Sequence, residues 1–165
     1  MFCFQCQETA KGTGCTIKGV CGKQESTANL QDLLIYDLKG IAVLAKGLKN
    51  AGVSIDKGAG LFIAQGLFTT ITNANFDNAS LESWIKRSQA IQQTLKAQLD
   101  SLSGKEQGSI WTKLMGALGF GKQESASDHL DGSALWFASD PSLFQEKAKT
   151  VGVLATENED VRSLR

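Results

Sequence analysis

Apolar residues recur along this chain at helical intervals. Leu30, Leu34, Leu38, Ile41, Ala45 and Leu48 step by four, four, three, four and three, which keeps them on one face of an α-helix. Asn29 with Asp32 three residues later offers a cap at the start, and Gly52 offers a stop. Ile35, Val43 and Leu44 widen the stripe, so this helix is expected to pack on more than one neighbour. Asp56 predicts the cap of a second helix running to about Ala74, with Ile63, Leu67, Ile71 and Ala74 on one face and Phe62 and Phe68 off it. A helix apolar almost all round is expected to be buried, and the β-branched and Asn-rich stretch that closes it resists extension. A third helix, starting near Ser80, places Leu81, Trp84, Ser88, Ile91, Leu95, Leu99 and Leu102 in one stripe, broken only by Ser88. Lys86, Arg87, Gln92, Gln93 and Lys96 fall on the opposite face, expected to be solvated.

Between 103 and 140 the pattern loosens into an irregular insertion, with one short helical candidate through Ile110, Trp111, Leu114, Met115 and Leu118. His129, the only histidine, sits here and reads as a surface residue. Asp140 before Pro141 then predicts a cap and a first-turn proline, opening a helix through Phe144, Ala148 and Val151 that stops at Gly152. Thr156 with Glu159 forms a capping box, so a further helix is expected to begin near 160. That start echoes the first helix, and 156–165 reads as the opening of a second bundle. The expected fold is all-α: an up-down three-helix bundle over 26–165, forming one domain with an N-terminal loop over 1–25.

Composition narrows the function classes. Lys and Arg number 17 and Asp and Glu number 17, a balance that argues against a basic nucleic-acid surface. No apolar run approaches the ~20 residues a membrane-spanning helix needs. The N-terminus lacks the basic segment, apolar run and small-residue cleavage site of a secretory leader, which points to the cytoplasm and to reduced thiols. One proline against 17 glycines suits long helices joined by glycine turns.

The chemistry is concentrated at the start. All four cysteines, Cys3, Cys6, Cys15 and Cys21, lie in the first loop with the spacing C-x2-C-x8-C-x5-C. Two disulfides are the weakest reading in a reducing compartment. A four-cysteine zinc site would ordinarily pair two short knuckles, and only Cys3 and Cys6 make one here. An iron-sulfur cluster tolerates unequal spacings, because its ligands can come from a loop wrapped around a larger body. Spacing alone leaves cluster and zinc open. Lys11, Lys18 and Lys23 offer cations to an anionic cluster, but each also reads as an ordinary solvated lysine, nearly cancelled by Glu8 and Glu25. Phe2 and Phe4 flank Cys3 and would either exclude water from a cluster or pin the chain end.

The run MFCFQCQETAKGTGCTIKGVCGK, continued by ANLQDLLIYDLKGIA, closely resembles the start of the hybrid-cluster proteins, also called prismane proteins or hydroxylamine reductases. GLFTTITNANFD and VGVLATENEDVRSLR extend the resemblance, while 103–140 shows no clear match. The resemblance implies Cys3, Cys6, Cys15 and Cys21 as ligands of one 4Fe-4S cluster; a longer-spaced subgroup of the family carries 2Fe-2S. It also implies a second helical bundle and two α/β domains. Those later domains hold, through cysteines, a histidine and carboxylates, the hybrid cluster that reduces small nitrogen compounds. No cysteine follows Cys21, so that catalytic site cannot be assembled from this chain. The resemblance therefore implies an electron-relay module, with an electron donor protein or the catalytic domains as partners. Apolar helix surface left uncovered would favour self-association. No catalytic residue is identified, because a single histidine completes no nucleophile-base-acid grouping and no Walker or G-x-G-x-x-G loop is present.

Overall fold

The computed structural model describes residues 3, 5, 6, 14–71, 74–102, 132–152 and 155–158. Helix α1 spans Glu25–Asn50 and begins before the predicted cap. Asn29 is not the cap, because it lies inside the helix that starts at Glu25; its side-chain amide donates to Gln145 Oε1 (3.1 Å). Glu25 instead supplies a negative charge in the first turn, where the helix dipole favours one. The predicted stop holds. Gly52 adopts φ +80°, its N–H reaches Lys49 O (3.0 Å), and the Val53 N–H reaches Leu48 O (3.0 Å). These are the paired bonds of a Schellman motif, which needs a left-handed residue at that point.

Asp56 caps helix α2 (Lys57–Thr69), accepting the Gly58 N–H at 3.1 Å. The helix ends ahead of Ala74, and the Thr69 and Thr70 hydroxyls donate back to the Gly66 and Leu67 carbonyls, both at 2.8 Å. Such back-bonding competes with continuation of the helix. The expectation that α2 is buried all round fails. Ala59, Phe62, Gly66 and Thr70 face inward, whereas Leu61, Leu67, Phe68 and Ile71 are exposed, Phe68 at 68%. The buried face of this helix thus sets Phe62 among the smaller Ala59, Gly66 and Thr70, while the expected stripe through Leu67 and Ile71 faces outward.

Helix α3 (Asn78–Leu102) starts earlier than Ser80, because Asp77 is its cap: its carboxylate accepts the Ala79 N–H at 2.9 Å. Leu81, Ser88, Leu95 and Leu99 are buried as the stripe predicts, while Leu102 is exposed. Gln92 departs from its predicted solvated face and is buried. Residues 132–135 are helical, and helix α4 spans Ser142–Val151. Asp140 Oδ1 accepts the Ser142 N–H (2.9 Å), Pro141 has helical φ, and Phe144 and Ala148 are buried, all as predicted. Among the described residues there are no strands, so the chain is all-α. His129, the candidate helix at 110–118 and Glu159 of the capping box lie outside the described residues.

The chain divides into two compact units. The first comprises Met1–Tyr36, Gln65–Lys86 and Ala138–Arg165. Leu30, Leu33, Leu34, Leu81, Ile85 and Phe144 are fully buried there. Asn78 ties α3 to α1, accepting from Thr27 Oγ1 (2.8 Å) and donating to Ser26 Oγ (3.1 Å); Gln145 of α4 donates to the Ser26 carbonyl at 2.9 Å. The second comprises Asp37–Ala64 and Arg87–Phe137, with Leu38, Ile41, Leu44, Leu48, Phe62 and Leu95 buried. Its buried polar residues include Asp37, whose carboxylate accepts from Ser88 Oγ (3.1 Å) and whose carbonyl accepts from Gln92 Nε2 (2.7 Å). That pairing is what draws Gln92 inward, since a buried amide needs a partner. Among the described residues no helix is long and apolar enough to cross a membrane.

Candidate functional site

The cysteine loop lies in the first unit, in front of the start of α1. Cys3 and Cys15 meet in an isolated antiparallel bridge, with the Cys15 N–H donating to Cys3 O at 2.7 Å. Cys15 is only 4% exposed and packs with Ala28 of α1, and the half-buried Cys3 packs against both. Cys6 is half-buried.

Cys21 is exposed, on a turn closed by the Gly22 N–H to Gly19 O (2.8 Å). Two glycines make that turn possible. Gly22 sits at φ +93°, which other residues rarely adopt, and a Cβ on Gly19 would come within 2.9 Å of the Lys23 carbonyl oxygen. The Gly19 N–H in turn donates to that same oxygen at 2.8 Å.

All four cysteines are free, so neither disulfide of the weakest sequence reading is formed. By donor type and number the four thiols suit an iron-sulfur group, which takes thiolate ligands. The structure brings Cys3 and Cys15 together. Among the described residues no group of three or more His, Cys, Asp or Glu is gathered closely enough to hold a metal ion, so Cys6 and Cys21 are not drawn in with that pair.

Of the lysines, Lys18 is exposed, as a solvated lysine should be, and Lys11 lies outside the described residues. Lys23 overturns its reading as a solvated lysine, being 1% exposed. Its Nζ donates to Gln5 Oε1 (2.6 Å) and Gln31 Oε1 (2.7 Å) and lies 5.8 Å from the centre of the Phe76 ring, within cation-π range. Both glutamines are anchored further: Gln5 Nε2 donates to Thr70 O (3.2 Å) and Gln31 Nε2 to Asn75 O (3.0 Å). The residue between Cys3 and Cys6 is thus tied to the end of the cysteine loop, to α1 and to the link between α2 and α3. Nothing in the periodicity marks Gln5, Gln31 or Phe76, because their partners are distant in sequence.

The Prismane/CO dehydrogenase family model matches residues 1–165, the whole chain. A hydroxylamine reductase of Clostridium botulinum (strain 657 / Type Ba4) is 47% identical over 169 residues, covering all of this chain and 29% of the relative. A hydroxylamine reductase of Desulfitobacterium hafniense (strain Y51) is 48% identical over 168 residues, covering all of this chain and 26% of the relative. The chain therefore spans less than a third of the length of these curated relatives. Membership implies iron-sulfur cofactors. With its whole length matched and its four cysteines free in one loop, this chain belongs to the Prismane/CO dehydrogenase family.

Proposed function

We propose that this chain is the N-terminal electron-relay module of a hydroxylamine reductase of the hybrid-cluster type, with Cys3, Cys6, Cys15 and Cys21 ligating one 4Fe-4S cluster. The observation that carries this reading is the four-thiol loop inside a family match that covers every residue. Bound there, a cubane supplies one-electron acceptance and donation at a potential set by hydrogen bonds, charge and burial. The chain's own residues do the holding. The Cys3–Cys15 bridge brings two thiols together beside Ala28 of α1. The Gly19–Gly22 turn keeps Cys21 at the surface, where a redox partner has access to its end of the loop. On this reading the four cysteines would hold the group that takes electrons from a donor protein and delivers them to a catalytic hybrid cluster in the other domains of the whole enzyme, in the cytoplasm. Alone, the chain self-associates through the exposed apolar side of α2.

Anaerobic reconstitution with iron and sulfide tests the assignment. About four iron and four sulfide per chain, with cubane electron spin resonance on reduction and loss of both in Cys→Ser variants, is the expected result. Two iron and two sulfide would assign a 2Fe-2S cluster. About one zinc without acid-labile sulfide would replace the relay with a structural zinc site on a helical interaction module.

A further inference from the structure

Lys23 is a buried cation. Among the described residues its ammonium meets two amide oxygens and the face of Phe76, and no carboxylate. Amide oxygens and a ring satisfy its hydrogen bonds and part of its field, but they do not cancel a unit charge removed from water. A charge in that position survives when something nearby repays it. Lys23 follows Cys21 by two residues, so chain length alone limits the Cα separation to about 7 Å. Its partner Gln5 precedes Cys6 directly. The cation is therefore braced against both ends of the four-cysteine loop.

We infer that Lys23 is the fixed counter-charge of the cysteine loop, held by Gln5 and Gln31 so that its field stabilises the added electron of the bound cluster. The inference rests on the cluster reading given above. A cubane on four thiolates is anionic and becomes more so on reduction, so a fixed positive charge favours the reduced form. Lys23 touches no reacting atom on this account and acts as a positioning residue. Its amide clamp distinguishes it from Lys18, whose exposed charge is screened by water and salt.

The midpoint potential of the reconstituted chain, followed by electron spin resonance, reads this directly. Lys23→Met removes the charge, and Gln31→Glu keeps Lys23 but sets an opposing charge against it. Both variants should make reduction about tenfold less favourable, a fall of about 59 mV for one electron. Lys23→Arg, which keeps the charge, should stay within about threefold of wild type, and its Lys23→Met counterpart should not. Should Lys23→Met fail to hold a cluster, Gln31→Glu decides the matter alone. A wild-type chain that takes up no iron and sulfide overturns the cluster reading, and this inference with it. A cubane whose potential ignores both charge-altering variants overturns this inference and leaves the cluster reading standing.

Discussion

Gly40, in the middle of α1, gives a test of the second unit in which two opposing effects are separable. Alanine is the better helix former by about 1 kcal/mol, so propensity alone predicts that Gly40→Ala stabilises. Gly40 is buried, however, and a Cβ there would overlap the Ser133 carbonyl oxygen, 2.8 Å from its carbon and 2.7 Å from Gln92 Nε2. Gln92 has some rotamer freedom, but Ser133 O belongs to a backbone segment whose own side chain is buried. Displacing it disturbs residues 132–135 and the Gln92 bond to Asp37 O. Overpacking of this kind costs about 3 kcal/mol at the upper end of the usual range, leaving a net loss of about 2 kcal/mol. Gly60 of α2 is the control, since it is exposed and a Cβ there meets nothing within 4 Å. Gly60→Ala should gain about 1 kcal/mol. The two variants would then differ by about 3 kcal/mol, or about 6–12 °C in Tm for a chain of this size. Melting followed by far-ultraviolet circular dichroism measures both. A Gly40→Ala protein that melts at or above wild type would refute the close approach of Ser133 to α1.

Ser88→Ala should lower stability by about 1–3 kcal/mol, because it removes a hydroxyl that donates to the buried Asp37 carboxylate. Urea unfolding with an unchanged slope and a lower midpoint is the expected signature, and an unmoved midpoint would show that the hydroxyl contributes nothing. At the start of α4, the hydroxyl and then the backbone N–H of Ser142 hold the Asp140 carboxyl below the usual carboxylate range, with Lys86 adding a smaller pull. A folded-state value below the unfolded one means that this contribution is present at neutral pH and is lost as pH falls through the lowered value. Titration of the Asp140 side-chain resonance should locate that value beneath an ordinary aspartate, and Asp140→Asn should flatten the corresponding acid limb of the stability curve.

What was legible in the sequence was local. Asp56, the Asp140–Pro141 pair and Gly52 each act within one helical turn, and each caps or stops its helix as the pattern predicts. Asn29 is no cap because α1 is already under way from Glu25, and its side-chain amide donates to Gln145 instead. The third helix starts ahead of the expected Ser80 because Asn75 Oδ1 accepts the Asp77 N–H (2.9 Å) in a turn that places Asp77 as the cap. On α2 the stripe through Ile63, Leu67, Ile71 and Ala74 is the wrong face: Leu67, Ile71 and Ala74 are exposed, and Phe62, off that stripe, is buried with Ala59 and Gly66, because apolar residues on every side leave the period ambiguous. Gln92 and Lys23 are the instructive departures, since a polar residue is drawn inside only by partners that periodicity does not encode. The gathering of all four cysteines into one N-terminal loop is legible from spacing and count. Their order of burial, with Cys15 innermost and Cys21 outermost, was not, because it depends on how the loop turns at Gly19 and Gly22.

The choice of glutamine at both positions around Lys23 has a consequence for how the loop responds to its surroundings. Side-chain amides have no proton to gain or release across ordinary acidity, so the two oxygens at 2.6 and 2.7 Å remain acceptors whatever the medium. Glutamates in the same places would form a tether whose strength rises and falls with acidification. Built from amides, the strap between Gln5, Lys23 and α1 is indifferent to such swings.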